Sequence, residues 1–224
     1  MRGRDETSGD AGRGEGEGEG ASAGPGYLAP YRRAIDDFGV SFEAMLWASK
    51  EKQLGRFAVM AGLADLTGRV VLDAGCGLGD FAQWLIEHEV AYGRFVGLEG
   101  LADMVRAASE RGLPEASFHA CDFVAEPDAF ARFKPDVVTF SGSLNTLRSE
   151  AATDVLRRAW AAAAEGVVFN FLSAKNHVPN AVDPSPAVRW EPAPMVEFAL
   201  SLTPNVLFRQ DYFAGHDATI AMLK

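Results

Sequence analysis

The stretch that decides the fold is Val70-Val71-Leu72-Asp73-Ala74-Gly75-Cys76-Gly77-Leu78-Gly79-Asp80-Phe81. Its first residues are apolar and β-branched, which is typical of a short buried strand, and three glycines at alternate positions follow. Glycine has no Cβ, so the chain can turn sharply there and its backbone can approach a ligand closely. A helical pattern comes next, and its N-terminus would offer unpaired N–H groups. The stretch therefore predicts a strand that delivers a ligand to the start of a helix.

The spacing of the glycines indicates which kind of ligand this is. A dinucleotide-binding loop has the pattern G-x-G-x-x-G and holds a pyrophosphate. Here Gly79 comes one residue early, and Asp73 stands two residues before Gly75, where the strand ends. A carboxylate at that point repels a pyrophosphate and attracts an ammonium or a sulfonium. We therefore expect Asp73, Gly75, Cys76, Gly77 and Gly79 to bind a positively charged ligand.

A second acid, Glu99, ends the next predicted strand, residues 95–98. It follows the glycine loop by about twenty residues, where nucleotide-binding folds place an acid on the ribose hydroxyls. A carboxylate accepts two hydroxyl donors at once, which a neutral side chain does less well. The alternative is an acid that merely lies at a surface strand end. We interpret Glu99 as a ribose ligand.

Leu72 to Gly79, read with Glu99 and Asp122, resembles the nucleotide-binding residues of class I S-adenosylmethionine-dependent methyltransferases, and the resemblance extends over about residues 45–224. It implies S-adenosylmethionine as the cofactor. It also implies an α/β fold, a Rossmann-like three-layer sandwich around a seven-stranded, mostly parallel sheet with an antiparallel C-terminal strand. Two predicted strands at the C-terminus, residues 205–210 and 218–223, fit that antiparallel strand, which a dehydrogenase sheet lacks.

The resemblance assigns further cofactor contacts. It implies that Asp122 accepts a hydrogen bond from the adenine amino group and that the backbone N–H of Phe123 meets the ring. It also implies that Gln53 and Arg56, which precede the glycine loop, reach the methionine carboxylate. Two plainer interpretations stay open. Asp122 has the residue type of a helix N-cap, and Gln53 and Arg56 fit the solvated face of a covering helix.

The acceptor side of the site is less well defined by sequence. Ser141 follows the fourth predicted strand, residues 135–140, at the topological switch point where ligands bind in such sheets. Methyl transfer needs mainly a nucleophile aligned about 3 Å from the methyl group, although a general base helps when the acceptor is a hydroxyl or an ammonium. Three side chains near the predicted C-terminal loops are candidates for that base: His177, His216 and Tyr212. Two tryptophans, Trp47 and Trp190, are candidates to line an acceptor pocket.

The chain divides into a tail and one domain. Residues 1–26 contain alternating Gly and Glu and predict a disordered acidic tail. Residues 27–224 form the predicted methyltransferase domain, which begins with a helical cap at 27–66. Residues 172–194 are rich in proline and lack periodicity, and we interpret them as a substrate lid.

Composition excludes several classes of function. The net charge of −10 argues against nucleic acid and anionic membrane surfaces as partners, since both attract basic chains. No apolar run approaches the length of about 20 residues that a membrane span needs. Two cysteines without clustered histidines make neither a disulfide framework nor a metal site. We therefore predict a cytoplasmic protein.

The sequence favours an enzyme that methylates a small-molecule acceptor. Two alternatives stay open. A protein that binds S-adenosylmethionine without catalysis would need the same loop and acids. A nicotinamide-dependent oxidoreductase would need a loop that tolerates phosphate, which Asp73 disfavours.

Overall fold

The structure is a computed structural model that describes residues 26–178 and 187–224. Within these residues, one sheet carries helices on both of its faces. The strands of this sheet are β1 Val70–Ala74, β2 Arg94–Glu99, β3 Ala116–Ala120, β4 Val137–Phe140, β5 Gly166–Ser173, β6 Arg189–Trp190, β7 Asn205–Arg209 and β8 Asp217–Leu223. The helices are α1 Ala29–Phe38, α2 Lys50–Ala61, α3 Asp80–Glu87, α4 Ala102–Glu110, α5 Ser149–Ala162 and α6 Pro192–Leu200.

The strand order explains where a ligand can bind. The order is β3-β2-β1-β4-β5-β8-β7, and β1 to β5 are parallel to one another. Strand β8 runs antiparallel to both β5 and β7. The order changes direction between β1 and β4, so a crevice opens at their carboxyl ends. The predicted seven-stranded sheet is confirmed, and the two-residue strand β6 adds an eighth strand beside the end of β5.

Two hydrophobic layers hold the helices against the sheet. On one face, Val71 of β1 packs with Phe57 of α2 and Phe81 of α3. On the other face, its neighbour Leu72 belongs to a cluster with residues of α5 and α6. Strands buried on both faces read as continuous apolar runs, which is why 70–72 and 137–140 are so apolar. The predicted three-layer sandwich is thereby confirmed.

Two predictions for the C-terminal half are corrected. Trp190, predicted to line an acceptor pocket, is a core residue: its ring stacks on Phe171 at 5.4 Å between centroids, and its Nε1 donates to the carbonyl of Leu147 at 3.1 Å. A buried indole N–H needs such a partner. The apolar pattern of the sequence predicts a short helix over residues 196–202, and helix α6 begins four residues earlier, at Pro192.

Most of the predicted tail and part of the predicted lid lie outside the residues that the structure describes. Of the tail, residues 1–25 lie outside the described residues. Of the predicted lid, residues 179–186 also lie outside them, and its ends belong to β5, β6 and α6. A lid function at 172–194 stays a prediction. Within the described residues, the helices fall short of the length and apolar character that crossing a bilayer requires.

Candidate functional site

A deep cavity lies at the carboxyl ends of β1, β2 and β4 and beside the residues that follow β3. Its other side is formed by residues 27–47, which we call the N-terminal cover. The side chains and backbone that line it are Tyr27, Leu28, Tyr31, Met45, Leu46, Trp47, Gln53, Arg56, Phe57, Asp73, Gly75, Cys76, Gly77, Asp80, Phe81, Glu99, Gly100, Met104, Cys121, Asp122, Phe123, Val124, Ser141, Gly142, Ser143, Asn145, Thr146, Leu147 and Ala187. The structure thus brings nine of the ten predicted cofactor residues to one cavity.

The glycine loop is shaped by close approaches on both sides. Gly75 and Gly77 have φ angles of 77° and 54°, in the left-handed region that favours glycine. A Cβ on Gly75 would lie 2.3 Å from the Cβ of Ser143, and one on Gly77 would lie 2.8 Å from Sδ of Met45. The loop therefore fits tightly against the β4 end and the N-terminal cover, and its backbone lines the cavity.

Gly79 is the predicted cofactor residue that does not line this cavity. It precedes α3 with a φ of 77°, and a Cβ there would lie 2.8 Å from Cζ of Phe118 and 3.5 Å from Cβ of Ala108. Because Gly79 has no side chain, the loop can pack closely against β3 and α4. Asp80, the next residue, lines the cavity instead.

Two buried acids, Asp73 and Glu99, face the cavity. Asp73 accepts a hydrogen bond from Oγ1 of Thr139 at 2.8 Å. Burial is the main cause that raises the pKa of Asp73 to about 7, and the nearby charge of Glu99 raises it further. Burial also raises the pKa of Glu99, against the lowering effect of its backbone hydrogen bonds. A cation that bound beside these two acids would relieve the cost of their ionisation.

Glu99 also holds the loop from which the cavity is built. Its Oε2 accepts from the N–H of Gly77 at 3.0 Å, and its Oε1 accepts from the N–H of Leu101 at 3.1 Å. Each carboxylate oxygen can accept a second donor, so capacity for two hydroxyl groups remains. The interpretation of Glu99 as a chance surface acid is wrong, because it is buried at the cavity.

Asp122 caps the turn that follows it and also lines the cavity, and its contact with an adenine stays a prediction. Its Oδ1 accepts from the N–H groups of Val124 and Ala125 at 3.2 and 3.1 Å, as a capping side chain does. Both of its oxygens also lie 2.7 Å from the hydroxyl of Tyr27, which donates to them across the cavity. Phe123, the next residue, is buried and lines the cavity beside it.

Gln53 and Arg56 lie on the buried face of α2. Their exposed fractions are 1% and 5%, so the alternative of a solvated helix face is wrong. The amide Nε2 of Gln53 donates to Oδ2 of Asp80 at 2.9 Å. This contact turns the carbonyl Oε1 of Gln53 away, and Oε1 has no hydrogen-bond partner among the described residues. Because Oε1 is an acceptor, Gln53 suits an ammonium better than the carboxylate that the sequence comparison implies.

Arg56 is held at its guanidinium tip. One Nη forms an ion pair with the fully buried Asp217, and the guanidinium lies over the ring of Trp47 at 4.7 Å from its centroid. Its Nε is buried and, within the described residues, has no hydrogen-bond partner. A buried N–H without a partner is costly, which makes this donor suited to an anionic ligand group.

The end of β4 supplies the remaining wall. Oγ of Ser141 is buried and lacks a hydrogen-bond partner among the described residues. The N–H of Gly142 donates to Oδ1 of Asn170 at 2.8 Å, and its φ of 72° brings the backbone close to Arg56 and Trp47. This wall lies next to the glycine loop, where the predicted acceptor site begins.

The three candidates for a general base lie elsewhere. His177 is exposed, and its backbone N–H donates to the carbonyl of Ala214 at 2.9 Å. His216 lies 3.0 Å from Oδ2 of Asp217 through its Nδ1, and the hydroxyl of Tyr212 lies 2.6 Å from Oγ1 of Thr219. None of these three side chains belongs to the described residues that line the cavity.

Sequence reasoning missed Tyr27, Tyr31 and Asp80. Burial is the main cause that raises the pKa of Tyr31, to about 12, so its phenol stays protonated beside Glu99. Burial and the hydrogen bond to Asp122 likewise raise the pKa of Tyr27. The only signal in the sequence for the two tyrosines was their spacing of four residues next to a polar tail. The tertiary fold is what brings them to the cavity.

Comparisons with known proteins agree with this fold. Residues 71–166 match the family model described as a methyltransferase domain. Magnesium protoporphyrin IX methyltransferase from Synechocystis PCC 6803, solved with bound SAM, has a TM-score of 0.62 at 14% identity, covering 91% of this chain and 100% of that one. An SAM-dependent methyltransferase from Archaeoglobus fulgidus has a TM-score of 0.63 at 16% identity, covering 82% and 98%. The DhpI-SAM-HEP complex has a TM-score of 0.60 at 17% identity, covering 87% and 94%. A search of curated proteins finds no match.

Proposed function

We propose that this chain transfers the methyl group of S-adenosylmethionine to a small-molecule acceptor, because residues 71–166 match a methyltransferase domain and the fold is similar to that of a methyltransferase solved with bound SAM. The observation that carries the proposal is a set of buried polar atoms that lack partners among the described residues and lie around one cavity. They are Oε1 of Gln53, Nε of Arg56 and Oγ of Ser141, beside the acids Asp73 and Glu99. Such atoms are costly unless a ligand satisfies them.

The donor set fits each part of the cofactor. Glu99 would accept from the ribose hydroxyls, and Asp122 with Phe123 would hold the adenine. The methionine ammonium would lie near Oε1 of Gln53, and the carboxylate would accept from Nε of Arg56. Each assignment follows from whether the protein atom donates or accepts.

Asp73 gives the cavity negative charge, whereas Cys76 lines it as a neutral thiol. Asp73 would stabilise the positive end of the ligand from the carboxyl end of β1, at a short range that burial strengthens. Burial raises the pKa of the Cys76 thiol, and the charges of Glu99 and Asp73 raise it further. The thiol therefore stays neutral and adds no negative charge to the loop.

The chemistry of the transfer needs little from the protein. Bound S-adenosylmethionine supplies a methyl group that its positive sulfur has already activated. Ser141 and the β4 end would orient the acceptor nucleophile in line with that methyl group and exclude water. Because His177, His216 and Tyr212 lie outside the set of described residues that line the cavity, we base the mechanism on alignment and assign no general base.

A small acceptor suits the size and charge of the site. The N-terminal cover contributes Tyr27, Leu28 and Tyr31 across from the glycine loop, which limits the approach of a macromolecule. The net charge of −10 opposes a nucleic-acid substrate. We further propose a cytoplasmic location, in keeping with the cysteine content.

Calorimetric titration with S-adenosylhomocysteine, and with NADH in parallel, tests the proposal. Micromolar binding of the first and no binding of the second is the expected result. Binding of NADH alone would support an oxidoreductase and overturn the proposal. Binding of S-adenosylhomocysteine without turnover of S-adenosylmethionine across amine, hydroxyl, thiol and carbon acceptors would support the scaffold alternative.

A further inference from the structure

The ion pair between Arg56 and Asp217 joins the two ends of the domain at the cavity. Arg56 lies on α2, before the first strand, and Asp217 is the first residue of the last strand. Asp217 has no exposed surface and Arg56 is 5% exposed, so both charges are buried. Removing one partner of such a pair leaves an uncompensated buried charge, which is far more costly than any surface pair.

Asp217 is itself held rigidly. Its backbone pairs with Leu172 of β5, and its Oδ2 lies 3.0 Å from Nδ1 of His216. The turn before it contains two consecutive non-glycine residues in the left-handed region, Phe213 at a φ of 48° and Ala214 at 51°. Residues in this region cost free energy and persist only where the surroundings enforce them.

The same turn packs against α2 next to Arg56. The phenyl ring of Phe213 fills the space beside Gly55, where a Cβ would lie 2.4 Å from Cζ of the ring. This contact fixes the distance between the turn and the helix. Three groups thus surround the guanidinium: Asp217 at one Nη, Trp47 on its face, and the Gly142 backbone near the other Nη.

We propose that Asp217 is a positioning residue that holds the tip of Arg56 so that its Nε points to the ligand carboxylate. The inference rests on the proposed function, because it assigns the anionic group of the cofactor to Arg56. The reason is geometric. A guanidinium donates in one plane, so fixing its Nη end with a carboxylate also fixes the direction of the Nε–H.

A pair of ligands separates positioning from general stability. S-adenosylhomocysteine has an amino-acid part with a carboxylate, whereas 5′-methylthioadenosine keeps the adenine, the ribose and the sulfur but lacks that part. For Asp217→Asn we expect the affinity for S-adenosylhomocysteine to fall by about tenfold, the low end for a hydrogen bond to a charged group. The affinity for 5′-methylthioadenosine should stay within about twofold of the wild type.

Two further sets of variants keep the test decisive. Asp136→Asn is the matched control, since Asp136 accepts from the N–H of Val70 at 2.8 Å at the opposite end of the sheet. It should leave the affinities for both ligands unchanged. A double-mutant cycle compares Arg56→Met with the double variant that combines Arg56→Met and Asp217→Asn. The double variant keeps neither buried charge of the pair. If Asp217 acts through Arg56, both proteins should bind S-adenosylhomocysteine equally.

Two outcomes would overturn the inference. One is an equal loss of affinity for both ligands in Asp217→Asn. The other is a further loss when Asp217→Asn is added to Arg56→Met. A wild-type protein that binds neither ligand would instead overturn the proposed function, and the positioning role with it.

Discussion

Replacing Asp73 by Asn should make the protein more stable above neutral pH and should weaken the binding of S-adenosylhomocysteine. The substitution keeps the size of the side chain, and an amide oxygen can still accept from Oγ1 of Thr139. It removes a carboxylate that is buried beside Glu99, where burial raises the pKa from 3.8 to about 7. The unfolded chain releases that proton near pH 4, whereas the folded chain keeps it until about pH 7.

The sign and size of the effect follow from this difference. Between these two pH values the folded state binds more protons than the unfolded state, so the free energy of unfolding falls as pH rises. A pKa shift of this size corresponds to a loss on the order of 4 kcal/mol in the free energy of unfolding, and the loss is complete above pH 7. Asp73→Asn lacks this contribution. The stability of the variant relative to the wild type should therefore increase from pH 5 and level off above pH 7.

Urea denaturation without ligand at several pH values in this range measures the effect. All other titrating groups are common to both proteins, so the difference between their unfolding free energies isolates Asp73. A difference that stays constant from pH 5 to pH 8 would refute the reasoning, because it would mean that Asp73 ionises as easily in the folded chain as in the unfolded one. The same variant should bind S-adenosylhomocysteine more weakly at pH 8, since it lacks the charge that attracts the ligand cation.

Three further substitutions test single contacts. Glu99→Ala should weaken the binding of S-adenosylhomocysteine by about 1.5–3 kcal/mol, the range for hydrogen bonds to a charged group, and an unchanged affinity in calorimetry would remove Glu99 from the site. Tyr27→Phe removes the hydroxyl that donates to Asp122, the carboxylate proposed to hold the adenine, so we expect S-adenosylhomocysteine to bind several-fold more tightly; weaker binding would mean that the phenol assists the ligand. Gly79→Ala should lower the free energy of unfolding by more than Gly112→Ala, because both have positive φ but only the first places a Cβ against Phe118. Equal losses in urea denaturation would contradict the packing role of Gly79.

The sheet and the glycine loop were predictable because their causes are local. Buried parallel strands need apolar runs, and the turn between β1 and α3 needs residues that tolerate positive φ. Asp73 and Glu99 were also predictable, because the carboxyl ends of neighbouring parallel strands meet at one edge of the sheet. The strands, the loop and the two acids follow from residue type and chain order, whereas the architecture of the sheet was implied by the resemblance to class I methyltransferases.

The contacts that complete the site were not predictable, because they join segments distant in sequence. Asp217 showed no sign that it would pair with Arg56, and nothing in the sequence indicated that Tyr27 would reach Asp122. Trp190 has the residue type of a pocket side chain, yet the carbonyl of Leu147 satisfies its N–H within the core.

The general-base candidates also show that contacts between distant segments cannot be predicted from residue type. His177, His216 and Tyr212 were chosen for residue type and for their place in C-terminal loops. The turn that holds Tyr212 and His216 packs behind Arg56, so Arg56 lines the cavity and these two side chains do not, and His177 does not line it either. Residue type alone does not determine which side chains face the cavity.

A crystal structure of the complex with S-adenosylhomocysteine would test the central claim most directly. We predict the ribose hydroxyls within hydrogen-bond distance of Glu99, the adenine amino group on Asp122, and the carboxylate on Nε of Arg56. A ligand bound elsewhere, or one in this cavity whose ribose and carboxylate contact neither Glu99 nor Arg56, would contradict the account.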